Sequence, residues 1–329
     1  MQLIDDGLSA KIANVSFLCI LLVVAQHIPH GAKINEAIGI LTGIAVPFFF
    51  AVSGFFYAGH NGESGWWRNS LKRRVSTLIV PYVIFNSTWY VYLHHYELSS
   101  FNLISFLGAD LSCLPPVGCL WYVRALLTYI IIFPLILKIA NRSRFAMLLY
   151  FIGVFLLSGV QGALAVKFAP SRLSDFLRWG FPLYGLLWFS VGFFVRLRGG
   201  LPARRYQAVW AVACSMLCLT LYYKPLVTEK VVCCLARVFS TFCLLWLVWI
   251  VVGDKRLPIL FTSAIFPIFC LHWQVINLVG ALINKFHLNL CVACEMTVSY
   301  VFAISVPILI SIFLRKYIPA VSTIIFGGR

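Results

Sequence analysis

NVSFLCILLVVAQH, Asn14 to His27, is the stretch on which the fold turns. From Phe17 to Ala25 every residue is apolar, with Cys19 behaving as a small apolar side chain. A helix built on this run is greasy on all faces rather than along one stripe, which suits lipid or a deep core. The run closes on an ionisable group, His27. An imidazole at the end of an apolar helix is costly to bury and marks a functional position. A second apolar run, VPFFFAVSGFF, Val46 to Phe56, carries a lone hydroxyl at Ser53.

Working outward, the same character fills the chain of 329 residues: 61% hydrophobic, 16% aromatic, 11% charged, with a mean hydropathy of +0.93. Soluble domains run to roughly 45–50% apolar and about 25% charged residues, so composition alone predicts an integral membrane protein. At roughly 20 apolar residues per helical crossing, ten spans are expected, at about 12–30, 37–58, 76–94, 118–137, 145–165, 181–195, 206–223, 231–252, 258–283 and 291–313. The sixth is short, and the ninth is long enough to tilt or to break near Pro267. Ile12–Ala25 leads into Gln-His-Ile-Pro rather than a small-residue cleavage site, so the first span is expected to stay in the chain. With no linker and no internal repeat, residues 1–329 read as one all-α membrane domain.

The formal net charge is +16, which in another composition would suggest nucleic acid. Here its distribution argues for topology. Most of the 26 basic residues, among them Lys11, the cluster Arg68, Lys72, Arg73 and Arg74, the pair Lys255 and Arg256, and Arg315 and Lys316, fall on the side of the N-terminus. Only seven fall on the other side. The positive-inside rule then puts both termini in the cytoplasm of a multi-pass cell-membrane protein, with the bilayer as its solvent and no nucleic-acid partner. Most of the cysteines sit in apolar runs and read as packing residues. Cys113 and Cys119 flank a Pro-Pro loop and could pair, whereas Cys291 and Cys294 lack the further ligands of a zinc site and read as packing too.

Few ionisable residues lie within the spans: His27, Arg124, Arg237, His272 and Glu295. Arg237 and Glu295 could pair across helices, and His272 could be a hydrogen-bonded core histidine. His27 is the stronger candidate. Eleven residues separate it from Ser16, which is three helical turns to within about 20°, so both side chains share one face about 16 Å apart. One face therefore links the two halves of the membrane. A base at the outer end could take a hydroxyl proton from an acceptor, while a donor is held at the inner end.

These segments resemble the membrane-bound acyltransferase family 3, bacterial inner-membrane O-acyltransferases. NVSFLCILLVVAQH is similar to the family's first span; Ser53-Gly54-Phe55 resembles its second-span motif. Lys72 to Tyr82, KRRVSTLIVPY, resembles the opening of the third span. The segment around Leu120-Trp121-Tyr122 resembles the fourth, and PIFCLHWQVI a late Leu-His element. The resemblance implies transfer of an acyl group, acetyl first among them, from acyl-coenzyme A to a hydroxyl of a cell-surface or exported glycan. Acetyl-coenzyme A would serve as co-substrate on the cytoplasmic side, with the glycan acceptor outside and no tightly bound cofactor or metal. It implies His27 as general base and Arg73, Arg74 and Arg124 as donor-phosphate or oxyanion contacts. Ser16, Ser53, Trp121, Tyr122 and His272 would line the pocket. Two family arginines fall on Ser16 and Thr77. Fewer fixed cations weaken the grip on phosphate or oxyanion, so a catalytically silent relative assisting glycan assembly stays open. So does a small-molecule carrier using Arg124, Arg237, His272 and Glu295 as pathway groups, although the sequence lacks the repeated halves of many transporters.

Overall fold

The apolar runs are helical, and the described residues contain no strand. The structure, a computed structural model, describes residues 6–28, 39, 41–59, 65–93, 101–107, 117–140, 142–197 and 230–327. The principal helices are α1 (Asp6–His27), α2 (Ala45–Ala58), α3 (Trp66–Arg74), α4 (Val80–Leu93), α5 (Trp121–Ala140), α6 (Arg144–Lys167), α7 (Leu183–Leu197), α8 (Lys230–Val251), α9 (Ile259–Lys285), α10 (Val292–Tyr317) and α11 (Pro319–Phe326). Among the described residues seven stretches are long and apolar enough to cross a membrane: α1, Gly118–Ala140, α6, Arg172–Leu197, α8, α9 and α10. The protein is an all-α polytopic membrane protein. α2 is a shorter apolar helix of 14 residues covering the second half of the expected 37–58. The expected span 76–94 is a π-helical turn, Val75–Ile79, running into α4. The expected span 206–223 lies outside the described residues.

α1 and α9 run side by side in the same direction. Asn14 near the start of α1 donates to the carbonyls of Gly253 (3.0 Å) and Lys255 (2.7 Å) and accepts from the amide of Leu257 (3.3 Å). A single side chain thus satisfies three backbone groups of the loop leading into α9, groups that would be expensive to leave unpaired. Phe17 then meets Phe261 with ring centroids 5.2 Å apart, and His27 meets His272 at the far end. The parallel course is fixed at three points along the helix.

Two prolines inside the bundle leave helices intact where the sequence suggests a break. Proline lacks an N–H, so the carbonyl four residues earlier loses its helical partner. In α9, Pro267 releases Ser263, whose carbonyl accepts instead from Nη2 of Arg315 on α10 at 2.7 Å. In α5, Pro134 releases Ile130, whose carbonyl accepts from the Tyr57 hydroxyl and from Trp67 Nε1, each at 3.1 Å. Neighbouring helices repair the backbone, as membrane helices require. The break expected at Pro267 does not occur, and Trp67 helps hold the repair at Pro134.

The sixth crossing is longer than the short span expected at 181–195, because a turn at Arg172–Asp175 and a π-turn at Phe176–Gly180 precede α7. Arg124 donates to the carbonyls of Trp179 and Gly180, Tyr129 donates to Pro182 (2.6 Å), and Gln161 clamps Phe181 and Leu183. α7 packs closely on α2. At Gly54 and Gly192 a Cβ would overlap the backbone of Phe189 and of Ala51, so two glycines let the helices cross backbone to backbone.

The cysteines divide by position. Cys19, Cys243 and Cys270 are buried as expected, and Cys119 is a buried free thiol; Cys113, Cys214 and Cys218 lie outside the described residues. Cys291 and Cys294 depart from the packing expectation: both are exposed, their sulfurs 3.1 Å apart in a hydrogen bond that lowers the Cys291 thiol from its ordinary value. The reason is geometric. α10 starts at Val292, so its first turn projects both side chains to one solvent-facing side.

Candidate active site

Between α1, α2, α5 and α9 lies a cavity of about 430 Å³. Ser16, midway along α1, and His27, at its end, both line it, so the void follows the second half of α1 for about 16 Å. Arg74, at the end of α3, also lines it, as do Ser53 of α2 and Trp121 and Tyr122 at the start of α5. Six residues singled out in the sequence therefore share one space. A second recess of about 120 Å³, among α1, α2, α7 and α8, is walled by apolar side chains such as Ile12, Phe55 and Trp188 and offers no acid–base group.

Three of the singled-out residues lie off the cavity wall. Arg73 is exposed beside Arg74, and its carbonyl accepts from the hydroxyls of Ser76 (3.2 Å) and Thr77 (2.9 Å). Arg124 ties down the turn before α7, as described above. His272 is fully buried behind His27 and hydrogen-bonded to the Ile268 carbonyl at 2.9 Å. Arg237 is exposed on α8, a helix packed against α6, and Glu295 opens α10, which packs on α9.

The cavity is polar at its ends and middle and aromatic between. Ser16 turns its hydroxyl onto the Ile12 carbonyl at 2.7 Å, so that wall is small and self-satisfied. Midway, Ser53 Oγ and the Tyr122 hydroxyl stand 3.1 Å apart. Phe50 steadies Tyr122 from one side (centroids 4.6 Å) and Phe269 from another (5.8 Å). At the far end Trp273 presents an edge to His27 (5.1 Å, 83°), and Trp121 packs on Trp179 at 4.9 Å. A base, two hydroxyls and a guanidinium facing one desolvated space are the groups that hydroxyl deprotonation and oxyanion stabilisation require.

Two features of the site were not read from the sequence. Cys119 and Phe269 are wall residues; Phe269 stands one helical turn before His272, a spacing that could have flagged it. Arg74 owes its place to the π-turn that follows it, and that turn is braced from the other end of the chain. Gly327, at positive φ (64°), sits so close to Thr77 that a Cβ would lie 2.7 Å from the Thr77 backbone, and Phe326 stacks on Phe85. No local sequence signal announces that contact.

Comparison with known proteins gives the family. No curated protein and no solved structure matches the chain. A family model described as an acyltransferase domain matches residues 15–316, a stretch that holds every residue of the cavity. This chain belongs to the acyltransferase 3 family.

Proposed function

We propose that the protein moves an acetyl group from acetyl-coenzyme A to a hydroxyl of a cell-surface or exported glycan, across the inner membrane of a bacterium and with both termini in the cytoplasm. The observation that carries this reading is one cavity with Arg74 and Ser16 toward the basic end of the bundle and His27 at the other. The end that holds residue 6 also holds Arg68, Lys72, Arg73, Arg74, Lys255, Arg256, Arg315 and Lys316, and it receives the anionic donor. Arg74 contacts donor phosphate at the mouth, with Arg73 adding charge from the rim. His27 takes the acceptor proton as the hydroxyl oxygen bonds to the thioester carbonyl carbon. Of the paired hydroxyls of Ser53 and Tyr122, one donates to the other and the remaining O–H donates to the oxyanion. The carbon–sulfur bond then breaks, and the proton returns to the thiolate of coenzyme A.

The test is transfer of radiolabelled acetyl from acetyl-coenzyme A by the purified protein in lipid, beside a His27→Ala variant. Activity in the parent and none in the variant, at equal membrane levels, is the expected result. Unchanged transfer in the variant removes the catalytic assignment. No transfer by the parent favours the silent relative, and substrate uptake into vesicles favours the carrier. The placement of Arg124 and Arg237 away from the cavity speaks against a relay through them.

A further inference from the structure

Behind the base stands a second imidazole whose proton can be placed. His272 is wholly buried, and its Nδ1 lies 2.9 Å from the carbonyl oxygen of Ile268, one turn back along α9. A carbonyl oxygen only accepts, so Nδ1 carries the hydrogen. In a neutral ring Nε2 is then a bare lone pair, and among the described residues it has no hydrogen-bond partner. Buried acceptors are rarely left unmade, so such an atom calls for an explanation. The His27 ring packs beside that of His272, the centroids 5.2 Å apart and the planes inclined by 40°, with no hydrogen bond between the two in this arrangement. Trp273 closes on His27 with its edge and limits how far that ring can swing.

We propose that His272 is the positioning residue of a histidine pair: a turn of the His27 ring lets Nε2 of His272 accept a hydrogen bond from His27, so that the other nitrogen of His27 faces the cavity as a lone pair. The inference rests on the acyl-transfer reading of the cavity. Held in the opposite tautomer, His27 would present an N–H to the acceptor hydroxyl and could not take its proton. Held as described, it receives that proton on the cavity side. The resulting imidazolium keeps its second N–H on His272, and the first proton passes on to the departing thiolate sulfur. This is the orienting logic of a base fixed by a third group, with an imidazole in the place a carboxylate often occupies. His272 touches no substrate and acts only through His27.

Two amide substitutions separate this role from simple anchoring. In His272→Gln the longer side chain brings an amide oxygen near the Nε2 position; in His272→Asn the short amide reaches only the Ile268 carbonyl. Initial rates of radiolabelled acetyl transfer by purified protein in lipid should show His272→Gln keeping most of kcat. His272→Asn should lose about 100-fold, in the range that acid–base assistance supplies, with KM for donor and acceptor unchanged in both. The reverse order, or parent-like kcat in both, overturns the proposal in favour of an anchor to Ile268. Should neither variant fold, nitrogen-15 magnetic resonance of the histidine-labelled parent in lipid decides. A protonated Nδ1 and an unprotonated, hydrogen-bonded Nε2 on His272 are expected, and a protonated Nε2 overturns the pair. Those spectra do not depend on turnover. The expected tautomer in a protein that transfers no acetyl would sink the proposed function and leave the pair standing.

Discussion

Ser16 faces the cavity from α1, and its surroundings show what an arginine in its place would meet. The side chain is small, its hydroxyl is satisfied within α1, and it faces the same cavity as Arg74. An arginine here would enter existing space rather than overpack a core, and it would add a planar donor fork where donor phosphates are expected. We therefore expect Ser16→Arg to keep or raise acetyl transfer, most visibly as a lower KM for acetyl-coenzyme A. Complete loss, with the protein still folded, would show that Arg74 already fills the role and that the two cations repel.

At the scale of elements, the joints that matter are made by contacts between helices distant in sequence. Arg315 on α10 completes the backbone of α9 at Ser263, where Pro267 has removed a donor. Arg315→Ala leaves that part-buried carbonyl without the bond, and losing a hydrogen bond to a charged donor costs about 1 kcal/mol where water can partly replace it. Thermal unfolding in detergent should show a lower Tm for this variant, and Arg315→Lys should recover part of the loss. A parent-like Tm in Arg315→Ala would mean that the carbonyl finds another donor. The π-turn after Arg74 is the second joint. π-turns insert one residue into a helix and often mark functional sites, and this one is held by Gly327. Gly327→Val adds a Cβ against Thr77 and places a β-branched residue at positive φ, strained on both counts. The expected result is a raised KM for acetyl-coenzyme A as Arg74 shifts, with kcat less affected. An unchanged KM would show that α11 does not position the arginine.

Over the whole molecule, the parallel course of α1 and α9 puts the loop bearing Lys255 and Arg256 at the same end as residue 6. α10 returns to that end, where α11 reaches Thr77. Residues 6 and 327 then lie toward the same end of the bundle as these basic residues. Fluorescent protein fused to either terminus should fluoresce in cells, and alkaline phosphatase fused there should be inactive. An active phosphatase at either end would reverse the orientation and with it the assignment of donor and acceptor mouths.

How much was legible in advance follows from the range of the forces involved. Helix formation and membrane residence depend on local composition, and the span NVSFLCILLVVAQH states both without help from the rest of the chain. The shared face of Ser16 and His27 is equally local, being set by helical pitch, and the structure finds both on one cavity wall. Tertiary contacts decided what composition could not. Pro267 reads as a break because the sequence shows a missing N–H and cannot show Arg315 arriving from the next helix. Arg124 reads as a site cation, yet the π-turn beside it takes up its guanidinium. His272 reads as a core histidine, which is true of its Nδ1; only the fold packs its ring beside that of His27. The sequence by itself determined the solvent, the helices and the face that Ser16 and His27 share. The three-dimensional packing determined which polar groups were spent on repairing backbone and which were left facing the cavity, because hydrogen-bond satisfaction in lipid is settled between helices.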